Sequence, residues 1–212
     1  MNLEHTAHYM HTGETAEARS LVRQFHYSGR FPSNVQLCAT WHEPGGLFGD
    51  SGRAVAAVIF SIPPTRWSEP VWELSRLVRR DDVHCPLTGL ISSAVKYIKS
   101  TGRMDLLISF ADWTQGHHGG IYQASSWNYA GKRNPQMDGV VVEGVFVPGR
   151  SANSRWGTRS PEKLRVLGVD AEPHMDEGKH LYWKPLRRSG AKKAERLGLD
   201  CLPYPRPNEK AA

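Results

Sequence analysis

The alternation of hydrophobic and polar positions along the chain predicts helices and strands in a definite order. Segment Thr15–Phe25 places its apolar residues at helical spacing, which indicates the first helix. Short apolar runs then predict three strands, and a longer amphipathic run predicts a helix that ends at Gly102. The three strands are expected over Val35–Trp41, Ala54–Pro63 and Val71–Arg79, and the helix over Leu87–Ser100.

The second half of the chain alternates strands with short helices. The apolar run Leu106–Phe110 predicts a buried strand, which a carboxylate at Asp112 follows. Further strands are expected over Gly139–Val147 and Lys179–Leu186, with a capped short helix over Ser160–Leu167 between them. A mostly β stretch followed by β–α units is typical of an α/β fold with a central mixed sheet flanked by helices.

Composition favours one α/β domain, which we expect over residues 1–186. The chain has 212 residues and a mean hydropathy of −0.50, and no apolar stretch approaches the ~20 residues of a membrane helix. Its first residues lack a secretory pattern. The three cysteines, Cys38, Cys85 and Cys201, lie far apart, which favours reduced thiols. A cytoplasmic protein without membrane contact is therefore expected.

Positive charge is concentrated at the C-terminal end. The net charge is +6, and the segment from residue 179 to the end holds nine basic and three acidic residues. Such a segment attracts nucleic acid, but the same composition describes a solubilising tail. Both interpretations are open, and we expect a basic, flexible extension over residues 187–212.

Chemically versatile side chains cluster after the strand that ends near Asp112. Ligands of open α/β sheets lie beyond the carboxyl ends of the strands, where Asp112, His117, His118 and Tyr122 are expected. The alternative is that Asp112 caps a helix, that the histidines are solvated and that Tyr122, like the nearby aromatics, belongs to the core. The residues alone leave both interpretations open.

Three blocks of sequence carry a resemblance to a known family. They are HYSGR at His26–Arg30, ELSRL at Glu73–Leu77, and FAD followed by GHHGGIYQA between Phe110 and Ala124. Together, and in this order, they resemble the Mom family of bacteriophage DNA-modification proteins, a divergent branch of the GNAT acyltransferase superfamily. The similarity covers roughly residues 20–185 and implies a GNAT-like single domain.

The resemblance implies an enzyme that adds a carbamoylmethyl group to adenine N6 in phage DNA, so that the DNA evades host restriction. DNA in the bacterial cytoplasm is then the partner, and the target base must leave the duplex stack. Asp112 is the expected general base and Tyr122 a proton donor or orienting group. Arg76 matches an active-centre arginine of the family, and Tyr27 lies where the acceptor site is roofed.

The resemblance also implies acetyl-CoA, whose pyrophosphate loop corresponds to Leu77–Ile91. The usual Gly-rich signature is absent there, so Arg79, Arg80, Thr88 and Gly89 are the candidate contacts. Iron has been proposed for the family. His26, Asp112 and His118, or His117 in place of His118, would supply two imidazoles and one carboxylate for it.

Two further polar features remain. Glu73 and Arg76 lie inside a predicted strand, and regular alternation places them on opposite faces. The hydrophilic stretch Pro148–Lys163 interleaves Arg150, Arg155 and Arg159 with Trp156. Arginines beside an aromatic suit phosphate contacts and base stacking, although any surface loop can have this composition.

Other functional classes remain as alternatives or are excluded. An ordinary acyl-CoA N-acyltransferase acting on an amine or protein is the first alternative, and a non-enzymatic DNA-binding protein on a GNAT scaffold is the second. The cysteine spacing excludes zinc fingers and zinc deaminases. The absence of GxGxxG and P-loop motifs excludes dinucleotide and nucleoside-triphosphate enzymes. The oligomeric state is open, with a homodimer as one option.

Overall fold

The computed structural model describes residues 9–13, 15–44, 52–64 and 66–206 of the chain. Within these residues the strands are β1 (Tyr9–Thr12), β2 (Val35–His42), β3 (Ala54–Ser61), β4 (Trp72–Arg79), β5 (Leu106–Asp112), β6 (Asn128–Lys132), β7 (Met137–Val142), β8 (Val145–Pro148), β9 (Ala171–Met175) and β10 (Lys179–Pro185). The helices are α1 (Thr15–Phe25), α2 (Leu87–Thr101), α3 (Gly120–Ala124), α4 (Gly149–Trp156), α5 (Pro161–Val166) and α6 (Arg188–Arg196).

A seven-stranded mixed sheet confirms the predicted α/β class. Its strand order is β1-β2-β3-β4-β5-β10-β6. Strands β1, β2, β3 and β4 pair antiparallel with one another in that order, and β4 pairs parallel with β5. Strand β3 is buried at nearly every position, which is expected for a strand covered on both faces. In the part of the chain described, none of the helices is long and apolar enough to cross a bilayer.

The described residues divide into two compact units, each made of several separate segments of the chain. Of the described residues, those within 9–110, 119–130 and 181–204 form the first unit, and residues 111–118, 131–180 and 205–206 form the second. In the first unit, α1 packs its buried Leu21 and Val22 on Ile59 of β3. The core of the second unit comprises Val140, Ala152, Leu164 and Ala171.

Two predicted regions of the second unit have a different structure. The single strand expected over Gly139–Val147 is a hairpin of β7 and β8, because Glu143 and Gly144 both adopt positive φ, of 50° and 76°. This is the conformation that a two-residue hairpin turn requires. The stretch after Pro148, whose composition is that of a hydrophilic loop, forms α4. The capped helix is confirmed as α5, with the Ser160 hydroxyl accepting a hydrogen bond from the Lys163 N–H.

The expected flexible extension over residues 187–212 contains a packed helix. Ala194 of α6 and Leu199 are buried in one cluster with Leu106 and Leu181. At Gly190 the helix approaches the Asp105 carbonyl so closely that a Cβ would overlap it. Residues 207–212 of the expected extension lie outside the described residues.

Candidate active site

Strands β4 and β5 diverge at the centre of the large sheet. Their parallel pairing is limited to Trp72 with Leu107 and Glu73 with Ile108, although β4 continues to Arg79 and β5 to Asp112. Two neighbouring strands that separate in this way leave room for a ligand between them. The residues on and around β4 therefore define a candidate site in the first unit.

A bulge in β4 corrects the prediction that Glu73 and Arg76 face opposite sides of the sheet. Glu73 pairs with Ser61 of β3 and Arg76 pairs with Ile59, while the register shifts by one residue between these pairs. Because Ile59 and Ser61 are two residues apart, they share a face, and so do their partners. The carboxylate and the guanidinium thus come from the same side of β4.

Arg76 connects β4 to the segment that follows α1. Its Nε donates a hydrogen bond to the Arg30 carbonyl at 2.9 Å. In the same segment the His26 ring stacks on Tyr27 with 4.4 Å between the ring centroids. His26 Nδ1 accepts a hydrogen bond from the Ser28 N–H at 3.1 Å, so Nε2 carries the proton of the neutral ring. Tyr27 is 57% exposed and is accessible to a ligand.

Tyr122 of α3 has a buried phenol at this site. Its hydroxyl is hydrogen-bonded to the Ser109 hydroxyl, and Ser109 in turn donates to the Leu74 carbonyl at 2.8 Å. Since that bond uses the only Ser109 hydroxyl proton, the Ser109 oxygen accepts from Tyr122. The phenol of Tyr122 is therefore a hydrogen-bond donor held in a fixed position.

The environment keeps Tyr122 neutral. Burial raises the pKa of Tyr122 to about 12 and outweighs the hydrogen bond with Ser109, which lowers it, while the nearby carboxylate of Glu73 and the hydroxyls of Tyr27 and Tyr182 also raise it. Glu73 and Tyr27 thus each lie within electrostatic range of Tyr122. A phenol with this pKa serves to orient and donate a hydrogen bond rather than to act as a base.

The glycine-rich segment before Tyr122 has a packing role. Gly119 adopts a φ of +85°, and a Cβ there would overlap the Tyr182 ring. Gln123 Nε2 donates to the Tyr182 hydroxyl at 3.1 Å. Trp127 is wholly buried and Tyr129 is nearly so, which matches the interpretation that these aromatics belong to the core.

The second unit contains Asp112 and both histidines of the predicted site. Asp112 Oδ1 accepts a hydrogen bond from the Thr114 N–H at 3.1 Å and so caps the 3-10 turn Trp113–Gln115. The Asp112 carbonyl accepts from the His117 N–H at 3.1 Å. The capping interpretation of Asp112 is therefore correct for its hydrogen bond, and the catalytic interpretation remains a prediction.

A buried histidine, His180, also lies in this unit. It is 5% exposed and packs edge-on against Trp113, with 5.2 Å between the ring centroids. Burial lowers the pKa of His180, and electrostatic interactions with Lys132 and His118 lower it further. His180 is therefore a neutral imidazole at pH 7.

The predicted iron ligands do not form a metal site. Among the described residues, which include His26, Asp112 and His118, no group of three or more His, Cys, Asp or Glu side chains could hold a metal ion. His26 Nδ1 and Asp112 Oδ1 are instead used in the local hydrogen bonds described above. The residues do not fit the ion that the resemblance implied.

The predicted acetyl-CoA contacts fit the cofactor only in part. Arg79 donates to the Cys85 carbonyl at 3.1 Å, and Arg80 forms an ion pair with Asp82 at 3.0 Å. A Cβ on Gly89 would lie 2.6 Å from the Trp41 ring, so this glycine accommodates an indole rather than a phosphate. What fits is the start of α2 near Thr88, which has no side-chain cap and no acidic residue in its first turn.

Sequence reasoning did not identify Ser109 or Tyr182 as part of the site. A hydroxyl in the middle of the apolar run Leu106–Phe110 was the available signal for Ser109, because a buried polar group must find a partner. Tyr182 gave no comparable signal, since a tyrosine is common in a strand such as β10.

Comparison with known proteins decides the family. The sequence matches the Mom protein family over residues 8–206, which is nearly the whole chain. The chain belongs to the Mom protein family. No curated protein matches the sequence of this Mom family member.

Solved structures with a similar course of the chain are acetyltransferases. The ribosomal-protein-S18-alanine N-acetyltransferase of Escherichia coli has 11% identity and a TM-score of 0.49, with 85% of this chain and 94% of that chain covered. A Bacillus subtilis acetyltransferase in complex with CoA has 10% identity and a TM-score of 0.49, with 85% and 100% covered. An aminoglycoside 6'-acetyltransferase type Ii has 11% identity and a TM-score of 0.47, with 84% and 97% covered.

Proposed function

We propose that this Mom family protein is a transferase that attaches a carbamoylmethyl group to N6 of adenine in DNA, and that the modification protects phage DNA from restriction. The family match over residues 8–206 is the observation that carries the proposal. DNA is the acceptor in this proposal, and the target base leaves the stack because its exocyclic amine lies inside the duplex.

Residues around β4 form the acceptor site in the first unit. Tyr122 donates a hydrogen bond from a buried, neutral phenol, and exposed Tyr27 offers an aromatic face for a base that has left the stack. Arg76 holds the segment that carries Tyr27 by its bond to the Arg30 carbonyl. In these roles the residues position the adenine, and neither tyrosine has to be ionised.

The proposal requires a base, because N6 loses a proton when the new bond forms. The delocalised lone pair makes this amine a poor nucleophile, so removal of its proton assists the reaction. Asp112 is the proposed proton acceptor, and Glu73 is a second carboxylate, near Tyr122. Each belongs to a different compact unit, and substitution of each tests which one acts.

An acyl-CoA is the proposed group donor. The uncapped start of α2 would hold its phosphates through backbone N–H groups of the first turn. When bound, the thioester supplies an activated two-carbon group. The product is joined through its CH₂ and carries an amide nitrogen. Its formation from an acetyl group therefore also needs a two-electron oxidant, which takes the hydride lost from the methyl carbon, and a nitrogen-containing reactant, which displaces the CoA thiol.

Mass spectrometry of nucleosides tests the proposal. DNA from cells that express the chain should contain a fraction of deoxyadenosine in which a carbamoylmethyl group replaces one hydrogen. DNA from cells with the empty vector, and from cells expressing Tyr122→Phe, provides the controls. Unmodified deoxyadenosine from cells with abundant, soluble and folded protein would contradict the proposal.

A further inference from the structure

The second unit contains an open cavity beside α4 that is lined by polar and basic side chains. The cavity has a volume of about 550 Å³ and is lined by Gly149, Arg150, Asn153, Ser154 and Arg159. This volume lies in the range of ligand-binding pockets. None of the described lining residues carries a carboxylate.

The fold brings the lining residues together on one side of α4. Arg150, Asn153 and Ser154 are three and four residues apart and therefore share a helix face. Arg159 comes from the segment after the helix, and Gly149 permits its approach, since a Cβ there would lie 3.0 Å from Arg159 Cδ. The two guanidinium groups thus line the same space.

Among the described residues, no acid neutralises either guanidinium. Within the described ranges of the chain, Arg150 and Arg159 have no carboxylate or hydrogen-bond partner. Other arginines do have such partners, for example Arg53 with Glu43 and Arg80 with Asp82. Two unpaired cations facing one cavity repel each other, so an anion between them is favoured electrostatically.

Two acids close to the lining residues in space or in sequence already have hydrogen-bond partners. The carbonyl of Asp138 lies 3.1 Å from the Cβ position of Gly149, but the Asp138 carboxylate is bonded to His174 Nδ1 at 2.7 Å. The carboxylate of Glu162 accepts a hydrogen bond from the Ser160 hydroxyl. Residues 148–166 hold five basic residues and Glu162 as their one acid, so the surroundings of the cavity are also positive.

We propose that this α4 cavity binds the phosphodiester backbone of the DNA substrate. The inference that the bound anion is DNA rests on the proposed function, whereas the inference that the cavity binds an anion rests on Arg150 and Arg159. A long polymer can pass through a cavity that is open and has an exposed lining. A planar guanidinium group can donate two parallel hydrogen bonds to the oxygens of one phosphate. Next to the cavity, Arg155 lies over the Trp156 ring at 4.7 Å, which extends the cationic surface.

The test compares two double variants of equal charge in binding to an unmodified duplex of mixed sequence. Arg150→Gln/Arg159→Gln removes the cavity charges, and Arg23→Gln/Arg133→Gln removes two exposed arginines that do not line the cavity. Each phosphate contact contributes about 0.9 to the slope of log affinity against log salt. The cavity variant should lose about 1.8 of this slope and one to two orders of magnitude in affinity at about 0.1 M salt.

Three further measurements distinguish a site for the DNA backbone from a site for small phosphates. Arg150→Lys/Arg159→Lys keeps the charge and should retain most of the salt slope, and Ser154→Asp should weaken DNA binding because it adds a carboxylate to the lining. Calorimetry with inorganic pyrophosphate detects a site that prefers small phosphates. All variants should unfold at the wild-type temperature, since the lining side chains are exposed.

Equal losses in both glutamine double variants would overturn the proposal, because only bulk charge would then matter. The proposal would also be overturned if Arg150→Gln/Arg159→Gln abolished pyrophosphate binding but left DNA affinity unchanged, because the cavity would then be a site for small phosphates. Failure of the nucleoside test leaves the binding result informative, since duplex affinity is measured without catalysis. The two proposals can therefore fail separately.

Discussion

At the residue scale, Asp112 has both a structural and a proposed catalytic role, and two substitutions separate them. Asparagine caps a turn about as well as aspartate, so Asp112→Asn should keep the bond to the Thr114 N–H and remove the base. Modification of adenine should fall by about 10²-fold or more, with unchanged thermal unfolding. Asp112→Ala should in addition lose about 1 kcal/mol of stability. If Asp112→Asn had wild-type activity, Asp112 would act only as the cap of the turn. Glu73→Gln would then test the second candidate for the base.

The buried phenols make the stability of the protein depend on alkaline pH. Burial raises the pKa of Tyr122 and of Tyr182 to about 12, above the value of about 10 of an exposed phenol. The unfolded chain therefore releases these protons first, and the free energy of unfolding should fall as the pH rises from about 10 to 12. The loss is up to about 2–3 kcal/mol for each phenol.

Denaturant titrations between these pH values, with tyrosine absorbance as a second readout, check this dependence. Tyr122→Phe should remove part of the decline, and Tyr97→Phe, at a more exposed position of α2, is the matched control. A decline of the same size in wild type and Tyr122→Phe would assign the effect to other groups.

At the element scale, the entry into α3 depends on a close contact rather than on backbone conformation alone. Gly116 and Gly119 both have positive φ, of 70° and 85°, but only at Gly119 would a Cβ overlap the Tyr182 ring, while nothing lies within 4 Å at Gly116. Gly116→Ala should cost about 1 kcal/mol, whereas Gly119→Ala should cost several kcal/mol and displace α3 with Tyr122. Thermal unfolding measures both, and Tyr182→Leu should restore part of the loss in Gly119→Ala. Equal costs for the two alanine variants would show that the aromatic contact is not limiting.

The sequence predicts a helix or strand correctly where apolar residues recur along that element at helical or strand spacing. Helix α1 has its predicted bounds because Ala18, Leu21 and Val22 form one apolar stripe. Helix α6 escapes prediction because its buried residues are only Gly190 and Ala194 among many charges. The bulge that turns Arg76 to the face of Glu73 could not be predicted, since an extra residue in one strand is visible only beside its partner strand. The same limit applies to Ser109 and Leu74, whose hydrogen bond joins positions far apart in sequence.

At the scale of the whole molecule, the net charge of the C-terminal segment overstates its free positive charge. Lys179 pairs with Asp176, Arg187 and Lys193 pair with Asp105, and Arg196 pairs with Glu69, so four basic side chains of this segment are bound to acids from earlier in the chain. Exposed Arg188 and Lys192 have no such partner among the described residues. The basic segment is thus partly a structural element, and only part of its positive charge is free to attract DNA.

Truncation distinguishes these two contributions. Removal of the chain after Leu186 deletes α6 and Leu199, which bury apolar surface against Leu106 and Trp183 of the large sheet. The expected loss is several kcal/mol, a large part of the roughly 5–15 kcal/mol that holds a typical domain together, so this variant should unfold at a much lower temperature or not fold. Arg188→Gln/Lys192→Gln should keep the fold and reduce the salt slope of DNA binding by less than the α4 cavity variant does. A stable, fully folded protein that ends at Leu186 and has lost DNA affinity would instead assign DNA binding to a separable tail.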